Sequence, residues 1–267
     1  MINVFFRHYR EDLYSESSRD PNKLRPAWFS NSICIFSLFR SIVSCKLEDE
    51  VRFYLWYDGS QGDLDSDPLI AICSHYSSYL PLFTLRENYR ELGSNASERI
   101  SFPILLEFIS NNFSDDDHFY LVENDYLHDS RALSSIVSVT RDFNEFSYGT
   151  LFDSPDYYNL PIHLSYMSQD LLLGEFNWRT VLTTTGSFFT SRRVISEDRA
   201  VFSRFADFDA FTRLVGLRGR KLIAPRESLS AHLMVGHYSP LKEEFTIIEE
   251  FNRLVNQIKS ISKYNLE

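Results

Sequence analysis

The chain has 267 residues, 43% hydrophobic and 15% aromatic, with 23 Phe and 15 Tyr. That is the composition of a folded globular protein with a sizeable core, and it excludes a disordered chain. The net charge of −10 argues against indiscriminate nucleic-acid binding, and nine glycines without a GxGxxG, GxxxxGKS or GxxxxGKT run exclude a glycine-rich phosphate cradle. Three cysteines (Cys34, Cys45, Cys73) form no CxxC pair and fit reduced thiols in a cytosolic protein. "MINVFFRHYRED" resembles neither a leader nor an anchor, and no run of 18 apolar residues occurs, so a cytoplasmic location is expected.

The apolar run Ile2–Arg7 predicts a first strand buried on both faces. A polar loop over 13–26 follows, too long for a simple turn. Apolar residues at 33, 35, 36, 38, 39, 42 and 43 then predict a helix. "VRFYLWYDGS" predicts a second strand ending at Asp58-Gly59, residues 68–80 a helix, and "LPLFTL" (80–85) a short third strand. A helix over 97–112 leads to "FYLVENDYL" (119–127), an apolar strand that runs into Glu123-Asn124-Asp125. Further on, "YGTLF", "TVLTTTGSFFTS" and "RKLIAP" suggest strands, and 195–206 and 208–217 short helices. The tail is an amphipathic helix with Phe245, Ile248, Phe251, Leu254, Val255 and Ile258 on one stripe.

This βαβα order predicts an α/β fold with a mostly parallel sheet, and the absence of repeats or a linker favours a single domain over 1–267. In such sheets ligands bind beyond the carboxyl ends of the strands. Arg7, Asp58 and the Glu123/Asp125 pair all fall at such ends. Two carboxylates one residue apart can chelate a hard divalent ion such as Mg²⁺ or Mn²⁺ that keeps positions open for phosphate and water. A polar turn would satisfy the same triplet.

In these motifs the chain resembles the GT-A fold of nucleotide-sugar glycosyltransferases of the DxD type, like those of family 2. "LVENDYLH" is similar to the DxD segment, with Glu in the first place. "INVFFRHY" and "WYDGS" resemble the first two strands, and "ELGSNAS" (91–97) the small-residue turn beside the nucleotide-sugar. "TTTGSFFTSRRVI" resembles the acceptor-side strand and turn, and "PRESLSAHLMVGHYSP" the stretch whose His completes the metal site. The resemblance covers roughly residues 1–240 and divides the chain into a nucleotide-sugar half (1–125), an acceptor half (126–240) and a terminal helix (241–267). It implies Mn²⁺ or Mg²⁺ on Asp125, Glu123 and His232, with His237 as the other candidate, and donor contacts from Arg7, Asp58, Gly93, Ser94, Glu123 and Asn124. The departures are the Glu in place of the first Asp and the lack of a Glu-Asp pair to mark the base.

A base for the acceptor hydroxyl is then sought in "RFADFDAFTRL", where Asp207 precedes a helix and Asp209 lies in its first turn. Each would serve equally well as a helix-terminus residue. Residues 192–226 carry nine basic groups against four acids, and Arg192 and Arg193 fall where the acceptor is expected. The expected acceptor is a glycan or polysaccharide. An alternative is hydroxymethylated cytosine in DNA, as for some bacteriophage enzymes, with arginines on phosphates. A non-catalytic nucleotide-sugar or carbohydrate binder is the reading from another class.

Overall fold

The computed structural model describes residues 1–9, 25–59, 67–77, 83–89, 98–140, 146–202, 207–236 and 244–264. Its first half alternates strand and helix: β1 (Ile2–Tyr9), α1 (Asn31–Ser44), β2 (Val51–Gly59), α2 (Pro68–Ser77), β3 (Phe83–Tyr89), α3 (Glu98–Asn112) and β4 (His118–Glu123). These four strands are parallel and lie in the order β3-β2-β1-β4. The expected third strand begins three residues later and runs four residues further than "LPLFTL" suggests.

After β4 the chain turns at Asn124-Asp125 into β5 (Tyr126–His128) and α4 (Ala132–Val139). There follow β6 (Tyr148–Gly149), α5 (Asp156–Asn159), α6 (Pro161–Leu164), β7 (Asp170–Leu173), β8 (Phe176–Val181) and β9 (Phe188–Ser191). The last elements are α7 (Arg192–Asp198), α8 (Asp207–Arg218), β10 (Leu222–Pro225), β11 (Ser230–His232) and α9 (Glu244–Tyr264). The sheet continues from β4 through β9, β6, β10, β8 and β7, with antiparallel pairings introduced at β4–β9. The α/β architecture expected from the alternation is present, as a nine-stranded mixed sheet.

Side chains alternate across this sheet, so neighbouring residues of one strand feed different cores. Phe6 and Leu55 join Ile33, Phe39, Ile72, Leu133 and Ile136 on the face covered by α1, α2 and α4. Phe5 and Trp56 join Phe102, Leu105, Ile195, Phe211 and Leu214 on the face covered by α3, α7 and α8. Aromatic side chains fill both cores. Phe5 stacks on its cross-strand partner Tyr54 at 4.4 Å, and Phe113 meets both edge-on.

The terminal helix α9 forms, but its buried line differs from the expected stripe. Ile247 and Leu254 are buried, with Ile248, Phe251 and Ile258 against the core, whereas Phe245 is 78% exposed. The stripe begins two residues later than the sequence suggests, because Phe245 lies in the first turn, on the solvent side. Among the described residues no helix is long and apolar enough to cross a membrane.

Candidate active site

A second, two-stranded sheet builds the site. β5 pairs antiparallel with β11, setting Tyr126 opposite His232 and Leu127 opposite Ala231. Beyond this ladder the Leu233 amide donates to the Asp125 carbonyl at 2.9 Å. The pairing brings two segments more than a hundred residues apart to the carboxyl ends of the parallel strands, and places His232 Nε2 3.1 Å from Asp125 Oδ2. Both groups are buried.

The His232 ring is fixed by packing. It lies parallel to the Tyr126 ring at 4.8 Å, and Phe152 meets both rings edge-on. The Tyr126 hydroxyl shares a hydrogen bond with Thr185 Oγ1. Burial pushes that phenol well up, and the negative charges of Glu123, Asp125 and Asp207 push it further. Three carboxylates therefore act on one hydroxyl, which puts Asp207 in the electrostatic neighbourhood of the site. Asp209, two residues on, is exposed.

Glu123 faces a different partner. On adjacent strands in register with it, Arg7 brings Nη2 to 3.2 Å from Glu123 Oε1. The same guanidinium donates to the Gly186 carbonyl at 3.3 Å and lies over the Phe102 ring. The Glu123 amide donates to Ser187 Oγ at 3.0 Å. Gly186 sits directly over the ion pair: a Cβ there would come within 2.8 Å of the Glu123 carboxyl and 2.9 Å of the Arg7 guanidinium. The "TTTGS" run thus lies against both Glu123 and Tyr126, and glycine is the residue that lets its backbone approach.

Asn124 is buried and tied into a network below the turn. Its amide and that of Asn31 reach His8 Nδ1 at 3.3 and 3.4 Å. An amide nitrogen can only donate, so Nδ1 accepts and Nε2 carries the proton donated to Asp67 Oδ2 at 2.7 Å. Arg25, which the sequence did not single out, sits on Asp125 itself, with Nη2 2.7 Å from Oδ2. Its other terminal nitrogen donates to the Leu233 carbonyl at 3.2 Å, and its plane lies over Phe29.

The residues selected from the sequence therefore divide. Asp125, His232, Glu123, Asn124 and Arg7 converge at the strand ends, with Asp207 close by. The Asp58 backbone ends β2 opposite Tyr9 and Asn88, at the same edge of the sheet. Its side chain, Gly93, Ser94 and His237 lie outside the described residues. Arg192 and Arg193 do not join the crevice. β9 runs antiparallel to β4, so Ser191 pairs with His118 at the opposite end of that strand from Glu123, about 17 Å away at ~3.3 Å per residue. There Arg192 pairs with Asp115 and donates to the Ser110 carbonyl.

Four further arginines of the basic stretch are tied up similarly. Arg218 and Arg220 both bind Asp198, which is fully buried and also accepts from the Tyr148 hydroxyl. Arg199 pairs with Glu107 and Arg226 with Asp170. Three acids from outside the stretch, Asp115, Glu107 and Asp170, thus offset part of its local charge excess.

Among the described residues no three His, Cys, Asp or Glu side chains gather as a metal site. The Asp125–His232 pair nevertheless has a suitable spacing. Two neighbouring donors of an octahedral ion with bonds of ~2.1 Å stand about 3.0 Å apart, against 3.1 Å here.

No protein-family model matches the chain, and no curated protein does. Among solved structures it is similar to the galactosyltransferase LgtC in complex with donor and acceptor sugar analogs, at 11% identity and a TM-score of 0.45. An active-site mutant of LgtC gives 12% and 0.42, and each likeness covers 83% of this chain and 72% of the other. The likeness stops there. At this identity and TM-score it bears on neither substrate nor mechanism.

Proposed function

We propose that the chain is a glycosyltransferase that moves a sugar from a nucleotide-diphosphate donor to a hydroxyl of a glycan acceptor. The observation that carries this reading is the Asp125–His232 pair, held by the β5–β11 ladder at the carboxyl ends of parallel strands. It adds a spatial partner to the DxD-like segment that the sequence resemblance rests on.

In this mechanism Asp125 and His232 would hold Mn²⁺ or Mg²⁺. A divalent ion there supplies Lewis-acid stabilisation of the charge that collects on the leaving diphosphate. Arg7 pairs with Glu123 and fixes it beside Gly186, which shapes the floor under the donor. Asp207 takes the proton of the acceptor hydroxyl, from a position where its charge already reaches Tyr126. The Tyr126 phenol stays protonated and, bonded to Thr185, holds the "TTTGS" run against the site. The DNA alternative is not favoured: five of the nine basic groups of the stretch, Arg192, Arg199, Arg218, Arg220 and Arg226, are paired with acids.

The test is calorimetric titration of a panel of nucleoside diphosphates and nucleotide-sugars, with Mn²⁺ or Mg²⁺ and again with chelator. One nucleotide is expected to bind with metal and to lose most of its affinity in Asp125→Ala. Equal affinity in chelator, or no binding of any nucleotide, would refute the reading.

A further inference from the structure

Arg25 and His232 share a single carboxylate oxygen, Asp125 Oδ2, at 2.7 and 3.1 Å. The arginine is not a loose surface group. Its side chain is 13% exposed, its second terminal nitrogen is held by the Leu233 carbonyl just beyond β11, and its plane rests on Phe29. A guanidinium keeps its charge at every physiological pH, and its planar fork suits a carboxylate. Here it lies on the same oxygen that a divalent ion between Asp125 and His232 would need. Two cations at contact distance in a buried site repel strongly, and the oxygen cannot serve both at full strength.

We propose that Arg25 is a tethered cation that competes with the divalent ion for Asp125. In the metal-free protein its charge lies against this buried carboxylate and offsets it. On metal binding it leaves Oδ2, which weakens the protein's intrinsic affinity for the ion. Freed there, its fork is available to an incoming diphosphate. This inference rests on the metal reading of the Asp125–His232 pair, and its test keeps the two separate.

The experiment is titration of the full chain with Mn²⁺ alone, followed by electron paramagnetic resonance of the free ion. The variants are Arg25→Gln, Arg25→Lys and Asp125→Asn, with thermal melts to check folding. Removing the charge in Arg25→Gln is expected to tighten Mn²⁺ binding about tenfold or more, Arg25→Lys to stay near wild type, and Asp125→Asn to abolish binding. Unchanged or weaker binding in Arg25→Gln, with the Asp125→Asn loss intact, would overturn the competition and leave the metal site standing. Mn²⁺ binding that is absent, or indifferent to Asp125→Asn, would overturn both. Should Arg25→Gln fail to fold, the wild-type chain decides: the guanidinium resonance of ¹⁵N-arginine at position 25 is expected to shift at saturating Mg²⁺. No shift at saturation would overturn the proposal.

Discussion

At the scale of single residues, the two aspartates that open α8 separate. The charge of Asp207 contributes to the upward shift of the buried Tyr126 hydroxyl and its Oδ1 accepts from the Phe208 amide, whereas Asp209 faces solvent. Asp207→Asn is expected to lower turnover about a hundredfold or more, the usual contribution of a positioned base, with nucleotide affinity nearly unchanged. Asp209→Asn should stay within a few-fold. Steady-state kinetics beside calorimetry checks both, and equal effects of the two substitutions would remove the assignment. Arg7 carries a different kind of weight. It is buried against Glu123 and Gly186, so Arg7→Ala removes a counter-charge from a largely buried carboxylate. A loss of about 3 kcal/mol in urea unfolding is expected. A loss under 1 kcal/mol would show that water replaces the guanidinium.

Among the elements, the shortest strands decide the most. β6 is only Tyr148–Gly149, yet it lies between β9 and β10 and links the two parts of the sheet. Its glycine is a steric requirement: a Cβ at 149 would fall 2.0 Å from the Phe189 ring, which is itself fully buried. Gly149→Ala is expected to cost about 1–3 kcal/mol through overpacking, seen as a lower urea midpoint with an unchanged m-value. The pairing of β5 with β11 has no comparable apolar signature, since each contributes three residues. What holds it is the Tyr126–His232–Phe152 stack together with the backbone bond from Leu233 to Asp125. The sheet and the site are thus stabilised by the same contacts.

For the molecule as a whole, buried histidine couples stability to pH. His128 is completely buried, shares a 2.9 Å hydrogen bond with the Tyr120 hydroxyl, and is pushed down by burial to about 3 from an ordinary 6.5. The unfolded chain therefore takes up a proton below pH 6.5 that the folded chain refuses until about pH 3, so stability falls with pH through that window. Between pH 6.5 and 5 the wild type is expected to lose about 1.5 kcal/mol more than His128→Gln. Urea titrations at the two pH values measure the difference, and identical losses would show that His128 does not report this linkage.

The sequence by itself determined the first half of the fold. Near-continuous apolar runs ending in polar residues specify parallel strands buried on both faces, and helical periodicity between them leaves few alternative topologies. Arg7, Glu123 and Asp125 were legible for the same reason, since strand ends in such a sheet are where polar groups converge. Tertiary structure decided the rest. That Asp125 meets His232 depends on a pairing across 107 residues between strands too short to leave a periodic signal. That Arg25 sits on Asp125 depends on the packing of segments a hundred residues apart, for which composition offers no sign. The basic stretch misled in the opposite direction, because charge counted along a chain ignores acids that folding brings alongside, as Asp115, Glu107 and Asp170 are brought here. Local pattern encodes an element and the face it buries, whereas a side chain's partner is set only when distant elements pack.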